Sequence, residues 1–146
     1  MAARSRSRYR AVQILYQIDV SGQSPQEAIE AYYQSLYSEE HAHKPPRDAF
    51  MEKLVYSTLE RLPEIDRHIQ AQAEHWRLER MSMVDRNILR VAINELLEGK
   101  TPAAVAINEA LNLARRFSGE AAVPFINGVL DGVRKRLEEK KAAESA

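Results

Sequence analysis

Four arginines stand at every second position of RSRSRYR (residues 4–10): Arg4, Arg6, Arg8 and Arg10. A guanidinium is always charged, presents a fork of N–H donors that matches paired phosphate oxygens, and stacks on flat rings. The spacing admits two geometries. On an α-helix, residues two apart point about 200° away from each other, so Arg4 and Arg8 would oppose Arg6 and Arg10. In an extended chain all four line one edge, which suits a flexible arm laid along a phosphate backbone. The expectation is therefore a flexible basic arm over residues 1–10. Arginine-rich segments that order on binding are a common RNA-recognition device, although phosphate contacts alone leave DNA open.

The arm belongs to a chain with no net charge, since 21 basic side chains face 21 acidic ones over 146 residues. The first ten residues hold four basic groups and no acid, and residues 134–146 hold five basic and three acidic. Setting both ends aside leaves 12 basic and 18 acidic groups for residues 11–133. An acidic body with basic ends pairs a tip that seeks polyanions with a surface that favours a basic partner. The plainer alternative is that the basic ends only aid solubility.

Catalytic patterns are missing. Neither GxxxxGK nor GxGxxG occurs, no nucleophile elbow is present, and the serines read as caps or surface. His41, His43, His68 and His75 lack metal-ligand spacing. The chain has no cysteine, which excludes disulfides and thiolate metal sites and fits a reducing cytoplasm. A binding protein is expected rather than an enzyme, with no metal and no cofactor. The start imitates a signal peptide, but Gln13, Gln17 and Asp19 interrupt AVQILYQIDV and no small-residue cleavage site follows. No apolar run has the length of a membrane span. A soluble cytoplasmic protein is the expectation.

The elements that must position the arm are helical throughout. With 45% hydrophobic and 29% charged residues the chain suits one compact domain, or two small helical subdomains sharing a core. A first helix is predicted over about 5–20, with Ala11, Ile14, Leu15 and Ile18 inward and Gly22 as its stop. Ser24-Pro25-Gln26-Glu27 is a capping box for a second helix whose inner face carries Ala28, Ile29, Tyr32 or Tyr33, and Leu36. The polar stretch 38–47 reads as a loop. A third helix places Phe50, Leu54, Val55, Leu59 and Leu62 on one stripe, and Pro63 opens a fourth with Ile65 and Ile69. Residues 75–81 look like a joint, with Trp76 as its packing anchor.

Ser82-Met83-Val84-Asp85 is a second capping box, for a fifth helix ending at Gly99. Val84, Ile88, Leu89, Ala92, Ile93 and Leu96 share one face, and Glu95 falls inside it. A carboxylate there needs donors, so Glu95 reads as a buried anchor bonded to backbone N–H groups or an arginine. Thr101-Pro102 should cap a sixth helix, and Pro124 should start a seventh. Gly128 and Gly132 lie one turn apart in that helix, which points to close approach by helix five or six. The result is an all-α fold of about seven helices in two packed bundles, residues 11–75 and 76–146.

RAVQILYQIDVSG (10–22), VDRNILRVAINELL (84–97), AINEALNLARRF (106–117) and FINGVLDGV (125–133) together resemble the NusB family of transcription antitermination factors, from about residue 8 to 137. The resemblance implies two helical subdomains and binding of boxA, a short single-stranded RNA in ribosomal RNA leader transcripts. It further implies a heterodimer with a small-subunit ribosomal protein, NusE. That complex joins other Nus factors on RNA polymerase and suppresses premature termination.

Carried onto this chain, the resemblance assigns RNA contacts to Arg4, Arg6, Arg8 and Arg10, to Tyr16, and to Asp85 and Phe125. Phe125 reads equally as a platform for an unstacked base and as a hydrophobic staple for helix seven. Two departures stand out. Ala121 and Ala122 replace acidic or hydroxyl residues of some relatives, and the arm alternates arginine with serine instead of clustering it. Monomer and homodimer both occur among relatives and stay open. Two other readings compete: an RNA-binding module acting in trans with a ribosomal RNA methyltransferase, and a helical adaptor with a solubilising tail.

Overall fold

The computed structural model describes residues 1–40, 46–73, 78 and 81–145, with the side chains of 37–40 left aside. Among these residues the secondary structure is helical, with no strand. The helices are α1 (Ala3–Ser21), α2 (Pro25–Glu40), α3 (Ala49–Glu60), α4 (Leu62–Gln72), α5 (Met83–Glu98), α6 (Ala103–Phe117) and α7 (Val123–Ser145), with a 3-10 turn at Glu120–Ala122 before α7. His41, His43, His75, Trp76 and most of the expected joint lie outside the described residues.

The local signals act as read at most ends. Gly22 closes α1 and Gly99 closes α5, each at φ 72°, a conformation that costs glycine nothing. The Ser24 box forms in both directions: Ser24 Oγ accepts the Glu27 N–H at 3.1 Å, and Glu27 Oε1 accepts the Ser24 N–H at 3.2 Å. The Ser82 box forms only half. Ser82 Oγ accepts the Asp85 N–H at 3.1 Å, but the Asp85 carboxylate is taken by Ser118 Oγ at 2.6 Å. At α6 the expected Thr101 cap is absent, and Pro102 holds the cap position with no side-chain bond. Thr101 Oγ1 instead donates to Glu95 at 3.1 Å, which gives the buried carboxylate a further donor.

Helix α5 lies at the centre, packed against α1, α3, α4, α6 and α7. Every residue from Asn87 to Glu95 is buried as a result, so the one-face pattern expected for this helix understates its burial. The polar residues of that buried run are all bonded. Arg90 forks onto Asp66 of α4 at 2.9 and 3.0 Å and reaches Asp19 of α1 at 3.3 Å. Asn94 donates to Ser57 of α3 and to Glu98, and accepts from Arg61. One hydrophobic cluster surrounds it, from Ala11 of α1 through Ile65 of α4 to Val133 of α7.

Two expectations are corrected here. The glycines of α7 do not admit α5 or α6: a side chain at Gly128 would meet open space, and one at Gly132 would overlap Gln72 of α4. More consequentially, residues 3–10 are no flexible extended arm. They are the opening turns of α1, and the reason lies in what faces them.

Candidate nucleic-acid interface

The helix sorts the arginines by the 200° rule. Arg8 points inward with 4% exposure, and its Nε and Nη2 donate to Glu95 Oε2 and Oε1 at 2.9 and 2.8 Å. Glu109 of α6 lies 3.7 Å from the same guanidinium. Burial pulls the Arg8 pKa down, but the hydrogen bond and charge of Glu95, with the charge of Glu109, outweigh it and hold it above the ordinary value. The intervening serines complete the docking. Ser5 donates to Glu109 at 2.7 Å, and Ser7 donates to both oxygens of Asp48, the α3 cap, at 2.8 and 2.9 Å. Arg-Ser alternation on this chain is therefore a docking pattern: the short hydroxyls and Arg8 together bond the carboxylates of α3, α5 and α6.

Arg8 is thereby corrected as an expected phosphate contact, because it is buried and forked onto Glu95 inside the fold. Arg4 is exposed, with its guanidinium lying over the Phe50 ring at 4.4 Å. Arg6 is exposed, with no carboxylate partner among the described residues. Arg10 is half-buried and reaches Asp48 at 3.2 Å.

The outward face of α1 carries Arg6, Tyr9, Gln13 and Tyr16 at helical spacing. Tyr9 stacks on Phe117 of α6, with centroids 4.7 Å apart and planes 10° from parallel. Arg116 covers Tyr9 from 5.0 Å. Beside this stack, Phe117, Tyr16, Gln13, Tyr32 and Val84 line a groove of about 520 Å³. Tyr16 is 40% exposed. Asp85 adjoins it in sequence through Val84 and in space through Ser118, the residue after Phe117. Phe125 is half-buried against the core and is not part of the groove wall.

The structure thus brings Tyr16 and Asp85 to one region and leaves Phe125 apart from the groove. It also adds Tyr9, Arg116 and Phe117. The signal for these was present as RYR in the first helix and RRF at the end of the sixth, basic residues interleaved with aromatics. Such a surface offers cations to phosphates and π-faces to unstacked bases. Among the described residues no cluster of acidic or histidine side chains could hold a metal ion, and no helix is long and apolar enough to cross a membrane.

The NusB family profile matches residues 5–135. The chain belongs to the NusB family. Transcription antitermination protein NusB of Solibacter usitatus (strain Ellin6076) is 54% identical over 142 residues, covering 97% of this chain and 95% of that protein. The namesake protein of Bacillus velezensis is 40% identical over 136 residues, covering 92% and 98%. Among solved structures, T. maritima NusB superposes with a TM-score of 0.77 at 30% identity, covering 92% of each chain. A second similar structure, of antitermination factors NusB and NusE in complex with dsRNA, gives 0.75 at 27% identity, covering 93% of this chain and 98% of that one.

Proposed function

We propose that this chain is a non-enzymatic transcription antitermination factor. It binds boxA RNA of ribosomal RNA transcripts together with the ribosomal protein NusE, and joins other Nus factors on RNA polymerase. The observation that carries the reading is the Arg116–Tyr9–Phe117 stack at the edge of the core, beside the exposed Arg6 and Tyr16 of α1. Family membership supports it, as does the similar NusB solved with NusE and RNA. Arg6, Arg116 and Arg4 take phosphates, Tyr16 and the rim of the groove take an unstacked base, and Asp85 with Ser118 supplies polar contacts at its edge. The acidic body favours a basic ribosomal partner.

With Arg8 withdrawn from the contact set and Arg10 held by Asp48, the three arginines Arg4, Arg6 and Arg116 give a salt slope of about −2, at about −0.7 per phosphate on a single strand. The test is fluorescence anisotropy of labelled boxA RNA and a scrambled control, each with and without purified NusE. Tighter, boxA-selective binding on adding NusE supports the reading. Equal, weak binding of both RNAs in every mixture contradicts it and leaves a helical adaptor.

A further inference from the structure

On the opposite flank of α1 from Tyr16, a second cavity of about 280 Å³ is lined by Arg4, Phe50, Lys53, Leu54, Lys100 and Thr101, with Glu95 and Glu98 in its wall. We propose that this cavity binds a phosphoryl group, supplied by the backbone of the RNA strand that leaves α1. The proposal rests on the RNA-binding reading above and names a further contact for it.

The argument is one of charge left over. Both carboxylates in the wall are already occupied: Glu95 holds Arg8 and Thr101, and Glu98 accepts from Asn94 at 3.0 Å and lies 3.8 Å from Arg61. Arg4, Lys53 and Lys100 are exposed and have no carboxylate partner among the described residues. Three cations from three separate elements therefore surround one cavity whose two carboxylates are turned to Arg8 and Arg61, an arrangement whose mutual repulsion an anion relieves.

Each cation is placed by the fold. Arg4 is held over Phe50, its guanidinium carbon 4.4 Å from the ring centroid, and its N–H groups have no carboxylate partner among the described residues. Lys53 stands three residues after Phe50 on α3, on the same side of that helix. Lys100 follows the left-handed Gly99 that ends α5, and the uncapped, positive end of α6 begins just beyond Thr101. The floor of Phe50 and Leu54 is apolar, which strengthens attraction to an anion by keeping water from one side. Arg6, on the other flank of α1, serves the groove. A strand that crosses the start of α1 would meet both.

The test compares the whole protein with a Lys53→Gln/Lys100→Gln variant, two exposed positions whose loss leaves the core intact, in a salt titration of boxA RNA binding with NusE present. Inorganic phosphate and adenosine monophosphate form a second arm, followed through the backbone amide signals of Lys100 and Thr101. If the RNA backbone is the source, the variant's salt slope is shallower by about 1.4, at about 0.7 per lost contact, so its deficit shrinks about sevenfold between about 50 and 200 mM salt. Saturable amide shifts with phosphate or the nucleotide that vanish in the variant, with RNA slopes unchanged, assign the cavity to a free phosphoryl ligand. An unchanged slope with no amide response overturns the proposal. Failure of the unmodified protein to bind RNA at all would instead sink the antitermination reading, and the phosphate arm would then decide the cavity alone.

Discussion

Arg8 and Arg6 lie two residues apart on one helix and have opposite surroundings. Arg8 meets a buried carboxylate, and its charge is consumed in holding α1 to α5. Arg6 meets solvent beside an aromatic stack, and its charge is free for a ligand. The same contrast runs along the whole start of α1: Ser5, Ser7 and Arg8 bond to Glu109, Asp48 and Glu95, while Arg6, Tyr9 and Tyr16 line the outer face. A basic segment on this molecule is therefore both a structural clamp and a presented surface, and the helix decides which residue serves which role.

The sharpest way to break the contrast is at Arg8. Removing one partner of a buried ion pair strands the other, so Arg8→Met should lower unfolding free energy by about 3–5 kcal/mol, read as a drop in urea midpoint. Replacing both partners, Arg8→Met with Glu95→Leu, should recover most of the loss, since two apolar groups leave no charge behind. An unshifted midpoint for the single variant would mean that the clamp contributes nothing. On the other face, Tyr16→Ala should leave the midpoint nearly unchanged and weaken boxA binding by about 1–3 kcal/mol, the range for one stacked base. Anisotropy and denaturation on the same preparation separate the two effects.

Arg6→Ala sharpens the comparison further. Its salt slope should be shallower by about 0.7, one phosphate contact, with no change in stability. The smallest expected effect lies far from α1. His68 of α4 has an enclosed Nδ1 with no partner among the described residues, and burial, then the charge of Arg136, holds its pKa below the ordinary value. The unfolded chain then binds the proton more readily, so stability is complete above about pH 6.5 and declines as pH falls through that value. His68→Gln should flatten that decline in a series of urea midpoints across pH 5–7.

Much of the fold was legible because its signals are local. Gly22, Gly99, Ser24 and Ser82 mark ends through backbone geometry and short hydrogen bonds, which act within a turn of their own position. Glu95 as a buried anchor held by an arginine was legible too, since its angle on α5 placed it among apolar neighbours. The helical state of residues 3–10 was legible only in part: apolar spacing predicts a helix from about residue 5, while the charge pattern suits an extended arm over 1–10. Two geometries fit RSRSRYR equally well, and what selects between them is a carboxylate 87 residues away. Thr101 was misjudged for the same reason, because its hydroxyl answers to Glu95 rather than to the adjacent helix. The Tyr9–Phe117 stack likewise joins residues far apart in sequence, and each half alone was only an aromatic beside arginines.

The measurement that bears most directly on the division of α1 into clamp and surface is the Cα secondary chemical shift of residues 4–10 in the free protein. A docked helix predicts uniformly helical shifts across the segment before any RNA is added, continuous with those of residues 11–20. Random-coil shifts over residues 4–10 that turn helical only when RNA binds would contradict it and restore a flexible arm.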